Sequence, residues 1–130
     1  MKRIRTIAAA VVLLAATVPV FVAGTAYAGN NEVERNGSCS GSADWKIKAK
    51  PDDGRLEVEA EVDSNRNGQE WRWVLRRNGN VADRGTSTTR GPSGSFSVER
   101  KTGNAKGKDS FKFRAVHQGS GQVCVARVSI

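Results

Sequence analysis

Residues 56–62 read Leu-Glu-Val-Glu-Ala-Glu-Val, with an apolar side chain at every second position and a carboxylate in each gap. A period of two sends alternate side chains to opposite sides of an extended chain, whereas an amphipathic helix needs a period near 3.6. This alternation recurs downstream and predicts an all-β protein of about seven strands. The first spans 44–50, with Trp45, Ile47 and Ala49 inward and Lys46, Lys48 and Lys50 outward. The second is 56–62. The third, 69–77, turns Trp71, Trp73 and Leu75 inward and Arg72, Val74 and Arg76 outward. A weaker fourth follows at 81–88. The fifth, 95–100, carries Phe96 and Val98 inward; the sixth, 110–117, carries Phe111, Phe113 and Ala115. The last, 122–130, carries Cys124, Ala126, Val128 and Ile130.

Turn-forming residues separate these segments. Pro51-Asp52-Asp53-Gly54, Asn78-Gly79 and Gln118-Gly119-Ser120-Gly121 read as turns, and Asn78-Gly79 is the strongest two-residue hairpin signal. Longer loops are expected at 64–68, 90–94 and 102–109. Short strands at this spacing imply a two-sheet antiparallel sandwich of immunoglobulin-like layout, with the inward tryptophans on its third strand. The alternative is a β-meander or small barrel in which the second and third strands form a hairpin.

The N-terminus adds the compartment. Lys2, Arg3 and Arg5 precede an apolar run from Ile7 to Ala23, and Ala26-Tyr27-Ala28 is a small-x-small motif. That pattern predicts a signal peptide over 1–28, cleaved before Gly29, and a secreted, extracellular product with no stable membrane insertion after cleavage. Residues 29–42 are rich in Gly, Ser and Asn and read as a polar N-terminal tail, leaving 43–130 as the sandwich domain. Cys39 and Cys124 are the only cysteines of the 130-residue chain. In an oxidising compartment they are expected to pair, the alternative being two free thiols. The first and last strands of such a sandwich can run side by side, which brings the two positions together. The usual bridge from second to sixth strand of antibody domains is missing.

The signal, Cys-Ser-Gly-Ser at 39–42, Trp45, Asp63-Ser64-Asn65-Arg66-Asn67-Gly68-Gln69 and Arg90-Gly91-Pro92-Ser93-Gly94-Ser95-Phe96 form a pattern. In it the chain resembles small exported actinobacterial proteins of unknown function with an immunoglobulin-like β-sandwich. The resemblance covers most of the mature chain. It implies the compartment and carries no activity.

Charge is unevenly distributed. Residues 29–65 hold five basic and nine acidic groups, a net −4, whereas 66–130 hold 13 basic and four acidic groups, a net +9. One acidic or neutral face and one basic face follow. In the immunoglobulin-like layout one outer face gathers Arg72, Arg76, Lys112, Arg114 and Arg127 around Val74, Val116, Val123 and Val125. Arg100, Lys101, Lys106 and Lys108 extend it. In the meander layout Arg72 and Arg76 would instead meet Glu61 and Glu57.

Catalytic and metal signals are weak. His117 beside Ser120 reads as a solvated turn, because no acid stands at a spacing that suggests a triad. Glu57, Glu59 and Glu61 read as a cross-strand ladder: if Pro51–Arg55 closes a hairpin, Lys48 faces Glu57 and Lys46 faces Glu59. Asp52, Asp53 and Asp63 supply too few oxygen ligands for calcium. Two cysteines and one histidine make no zinc site. The three tryptophans lie on inward positions and read as core rather than as a sugar platform.

The sequence therefore points to a secreted, non-enzymatic binding module without cofactor or metal, acting through the basic face. An acidic protein partner is the leading expectation, since the valines add apolar area. An anionic polymer (nucleic acid or wall polymer) is the alternative, although the face lacks the aromatics that stack on bases. A third reading is a secreted hydrolase inhibitor with Arg90–Ser95 as bait.

Overall fold

The computed structural model describes residues 26–28 and 31–130. The expected cleavage point before Gly29 and residues 1–25 lie outside the described residues. Those described contain nine strands and no helix: β1 (Ala26–Ala28), β2 (Glu32–Ser38), β3 (Asp44–Asp52), β4 (Arg55–Asp63), β5 (Glu70–Arg77), β6 (Asn80–Thr88), β7 (Ser95–Thr102), β8 (Ser110–His117) and β9 (Val123–Ser129). Two antiparallel sheets face each other, ordered β1-β2-β3-β4-β7 and β6-β5-β8-β9. The Trp71/Trp73 strand, β5, pairs with β6 and β8 rather than with β4. This is the immunoglobulin-like layout and not the meander, because β4 and β5 lie in different sheets.

The alternation seen in the sequence becomes the core. Ile47, Val58 and Val62 point in from one sheet, and Trp71, Leu75, Phe111 and Phe113 from the other, each at most 2 % exposed. Burying each such side chain is worth roughly 1.5–3 kcal/mol. Aromatic rings link the layers: Trp73 stacks on Phe113 with centroids 5.6 Å apart, and Phe96 of the opposite sheet lies 6.5 Å from Phe113 and 6.3 Å from Trp71. Gly85 lies opposite Trp73 on β6, and a Cβ there would come within 2.7 Å of the indole. Trp45 is half-buried; its ring covers Gly37, and its indole N–H donates to the Ser38 carbonyl at 3.2 Å.

Two local expectations change. Glu32–Ser38, read in the sequence as polar tail, is a strand paired with β3 from Val33↔Ala49 to Ser38↔Asp44. Its side chains are nearly all polar, so no alternation marks it. Main-chain pairing and the burial of Val33 hold it in place. On its far side Ala26–Ala28, the residues of the expected cleavage motif, pair with Glu32–Glu34. The β3–β4 ladder also shifts by two residues from the expected register: Lys46 faces Glu61, Lys48 faces Glu59 and Lys50 faces Glu57. The cause is the turn. Asp53 and Gly54 both adopt positive φ, 49° and 76°, and close a two-residue hairpin in which Asp52 faces Arg55.

Cys39 and Cys124 form a disulfide. Cys39 sits in the β2–β3 connection, half-buried, and Cys124 is fully buried on β9. Hydrogen bonds secure the same corner. The Ser40 N–H donates to the Val123 carbonyl at 2.8 Å, and the Val123 N–H donates to Ser40 Oγ at 2.9 Å.

Candidate functional site

The outer face of β6-β5-β8-β9 carries its charges in cross-strand rows. The first row is Thr86, Arg72, Val116 and Val123; the second is Arg84, Val74, Arg114 and Val125; the third is Val81, Arg76, Lys112 and Arg127. All five cations expected there share the face. Arg84 is the sixth, set opposite Val74. Recognising it required the β5–β6 register, and a bulge at Leu75/Arg76 displaces that register partway along. Glu70 is the one carboxylate with the parity of this face. It lies at the strand end beside Thr88, two residues before Arg72.

The two outer faces differ in how their charges are matched. On the β2-β3-β4-β7 side Lys48 lies between Glu32 at 4.0 Å and Glu59 at 3.8 Å, Lys50 lies 3.6 Å from Glu57, and Lys101 lies 3.0 Å from Asp52. Most of that face is a paired lattice, although Glu59 lies opposite Glu99, and Glu61 and Glu99 form no ion pair among the described residues. Among the described residues Arg72, Arg76, Arg84, Lys112, Arg114 and Arg127 form no ion pair. Like charges directly opposite one another destabilise a sheet, so this arrangement costs the isolated fold something.

Arg100 and Lys101 do not extend the basic face. Lys101 belongs to the paired lattice; its hydrogen bond to Asp52 holds that carboxyl below its ordinary range and raises the lysine in turn. Arg100 bridges the sheets at their edge. It donates to Asp83 at 2.6 Å and lies over the Trp73 ring, 5.3 Å from its centroid. The hydrogen bond from Arg100 depresses the Asp83 carboxyl. Lys106 and Lys108 are exposed in the β7–β8 loop.

The third row borders a shallow depression of about 230 Å3, lined by Arg76, Gly79, Ser110, Phe111, Lys112, Arg127, Val128 and Ser129, its wall more apolar than polar. Ser110 and Ser129 pair across β8 and β9, their hydroxyls 3.1 Å apart.

The remaining candidates resolve into local structure. Ser120 Oγ lies 2.6 Å from His117 Nδ1, and the Ser120 N–H also points to that nitrogen at 3.3 Å. The imidazole stacks on Trp71 at 5.3 Å. The arrangement clamps the β8–β9 turn, and among the described residues no carboxylate orients the ring. No group of three or more His, Cys, Asp or Glu side chains among them is placed to hold a metal ion. Asp109, unmarked in the sequence, is buried and accepts from Arg77 and Asn78, tying the β7–β8 loop to the β5–β6 turn. Residues 90–93 are exposed, but the segment is held by the Arg90↔Ser95 bridge and by Ser64, which donates to the Gly94 carbonyl. Among the described residues no helix is long and apolar enough to cross a membrane.

The fold and this face define an all-β, disulfide-bonded, immunoglobulin-like sandwich with one surface mostly charge-paired and, among the described residues, one whose six cations are unpaired. Comparison with protein-family models, with curated proteins and with solved structures finds no match.

Proposed function

We propose that the protein is a secreted, non-enzymatic binding module that captures an anionic polymer on the outer face of β6-β5-β8-β9. The observation that carries this is the contrast between the two faces: mostly paired ions on one, and on the other six cations that form no ion pair among the described residues. Polyanion binding draws its affinity from cations that displace condensed counterions, and needs no apolar core. Val74, Val116, Val123 and Val125 are recessed among the charged side chains, and Val81 is the only large hydrophobic exposed among the described residues, at 39 %. A protein interface wants a desolvated, aromatic-rich centre. The face has none, which favours the polymer over an acidic protein partner. The export pattern and the disulfide support an extracellular setting.

Salt titration tests the reading. With six phosphate contacts, affinity for a polyanion is expected to fall about a thousandfold between about 50 and 200 mM salt. Arg84→Glu with Arg114→Glu is expected to abolish capture while thermal stability holds or rises. Retention of polymer by that variant, or a salt-insensitive affinity, would remove the role from this face.

A further inference from the structure

At one end of the basic face three cations stand shoulder to shoulder. Arg76 on β5 lies directly opposite Lys112 on β8, and Lys112 lies directly opposite Arg127 on β9. Elsewhere on the face valines and a threonine interleave the cations; here the cations adjoin with nothing between them. Neither nearby aspartate relieves them. Asp109 is buried against Arg77 and Asn78, and Asp83 is engaged by Arg100. The one polar contact that Arg76 makes among the described residues is a long one, 3.4 Å to the Gly79 carbonyl.

We infer that this row is a binding site for a phosphate or sulfate ester, the group by which the face recognises its polymer. The inference rests on the polymer-binding reading above and narrows its ligand. The depression beside the row measures about 230 Å3, smaller than the ~300 Å3 at which pockets for whole small molecules begin. Its size is that of a head group and not of a complete ligand; Phe111 and Val128 contribute to its wall, and the charge that would hold an oxyanion comes from the row beside it. Two guanidinium groups supply forked donors, which match the oxygens of an oxyanion, and the ammonium adds a point charge. The paired hydroxyls of Ser110 and Ser129 lie on the same outer face, one step along the strands, and provide further donors. A carboxylate offers two oxygens and one charge to this set. A phosphate monoester or a sulfate monoester offers three terminal oxygens, and its bound charge relieves the repulsion within the row.

The test uses the processed chain in low-salt buffer. Inorganic phosphate or sulfate is expected to raise the melting temperature more than acetate does at equal ionic strength. Lys112→Gln with Arg127→Gln should melt higher than the wild type in the absence of oxyanion, because the repulsion is gone, and should lose the oxyanion-dependent rise. A merely structural role would lower stability instead. Charge-matched polymers then separate the two readings. The wild type should bind dextran carrying phosphate monoesters, or dextran sulfate, at least tenfold tighter than polyglutamate, and the double variant should lose that preference; the better of the two esters identifies the source. Equal binding of all three polymers overturns the oxyanion site and leaves the polymer-binding face standing. Binding of none overturns both. A phosphate-induced rise that survives in the double variant overturns the site by itself.

Discussion

Asp109 accepts two hydrogen bonds from the guanidinium of Arg77, at 3.1 Å from Nε and 2.9 Å from Nη2. The carboxylate is 1 % exposed and also accepts from Asn78 Nδ2 at 3.1 Å. Its backbone exchanges both hydrogen bonds with Ile130, at 2.8 and 2.9 Å. Arg77 occupies an inward position at the end of β5, where a charge needs a partner. Asp109→Ala strands that charge in a half-buried site. A loss of roughly 2–4 kcal/mol is expected, somewhat below the range for fully buried pairs because Arg77 keeps partial contact with solvent. Urea unfolding measures it, and a loss under about 1 kcal/mol would show that the pair is dispensable.

Trp73 combines a core and an edge role. It packs on Phe113, covers Gly85 and supports Arg100. Trp73→Ala is expected to cost ~3–5 kcal/mol, the usual range for a buried large aromatic. Gly85→Ala presses a methyl onto the same indole and should destabilise by about 1–3 kcal/mol through overpacking. Thermal melts of both variants check this. Wild-type stability for Gly85→Ala would show that the indole moves aside freely.

Gly94 is buried in the β6–β7 loop at φ 72°, and a Cβ there would run into the backbone of Asn65 and Arg66. Its carbonyl accepts from both the N–H and the hydroxyl of Ser64, at 3.0 and 3.2 Å. Gly94→Ala therefore meets backbone strain and a steric clash together. It should cost more than ~1 kcal/mol and loosen both loops. Faster amide exchange at Ser64 and Gly68 would report the loosening, and unchanged exchange would refute it.

The Asp83–Arg100 bridge makes stability depend on acid. The folded carboxyl lies below its ordinary value of 3.8 because Arg100 donates to it. A depressed folded value means that the contribution is present above 3.8 and is lost as pH falls through the folded value. Asp52 behaves the same way through Lys101. Lys101 is raised above 10.5, so its contribution is present below that pH and fades as pH climbs through the folded value. Asp83→Asn should flatten the decline in unfolding free energy as pH falls below the ordinary carboxyl value of 3.8. An unaltered acid slope would remove this bridge as its cause.

The Cys39–Cys124 bond closes 85 residues. The chain-entropy treatment puts its contribution at ~4.5 kcal/mol as an upper figure. The Ser40–Val123 hydrogen bonds and the β2–β3 pairing hold the same corner without it. The Cys39→Ala, Cys124→Ala variant is therefore expected to stay folded at low temperature and to melt well below the wild type. The native protein should take up no alkylating reagent before reduction, and uptake of two groups would show free thiols.

Alternation made most of the sandwich legible. Leu56–Val62 and Trp71–Leu75 show their inward faces in the sequence because burial on one side of a strand imposes a period of two. Glu32–Ser38 was not legible, since a strand held mainly by main-chain bonds, with Val33 as its one buried apolar side chain, needs no apolar stripe. Asp109 was hidden in a polar loop for a similar reason: a buried carboxylate is defined by the guanidinium that reaches it, and Arg77 lies 32 residues away. Of the basic face, five cations could be assigned from strand parity, while Arg84 waited on a register that a bulge interrupts.

By itself the sequence determined which residues of β3 to β9 are extended, which side of most of those strands is apolar and that the later half of the chain is basic, because all three depend on near neighbours. Only the tertiary structure decided that β5 lies beside β8 and not beside β4. That choice sets Arg72 and Arg76 next to Lys112, Arg114 and Arg127, away from Glu57 and Glu61. The physical reason is that strand pairing is a contest between distant segments for the same main-chain donors and acceptors. Packing of Trp71, Trp73, Phe111 and Phe113 into one shared core settles it, and no local pattern encodes that outcome.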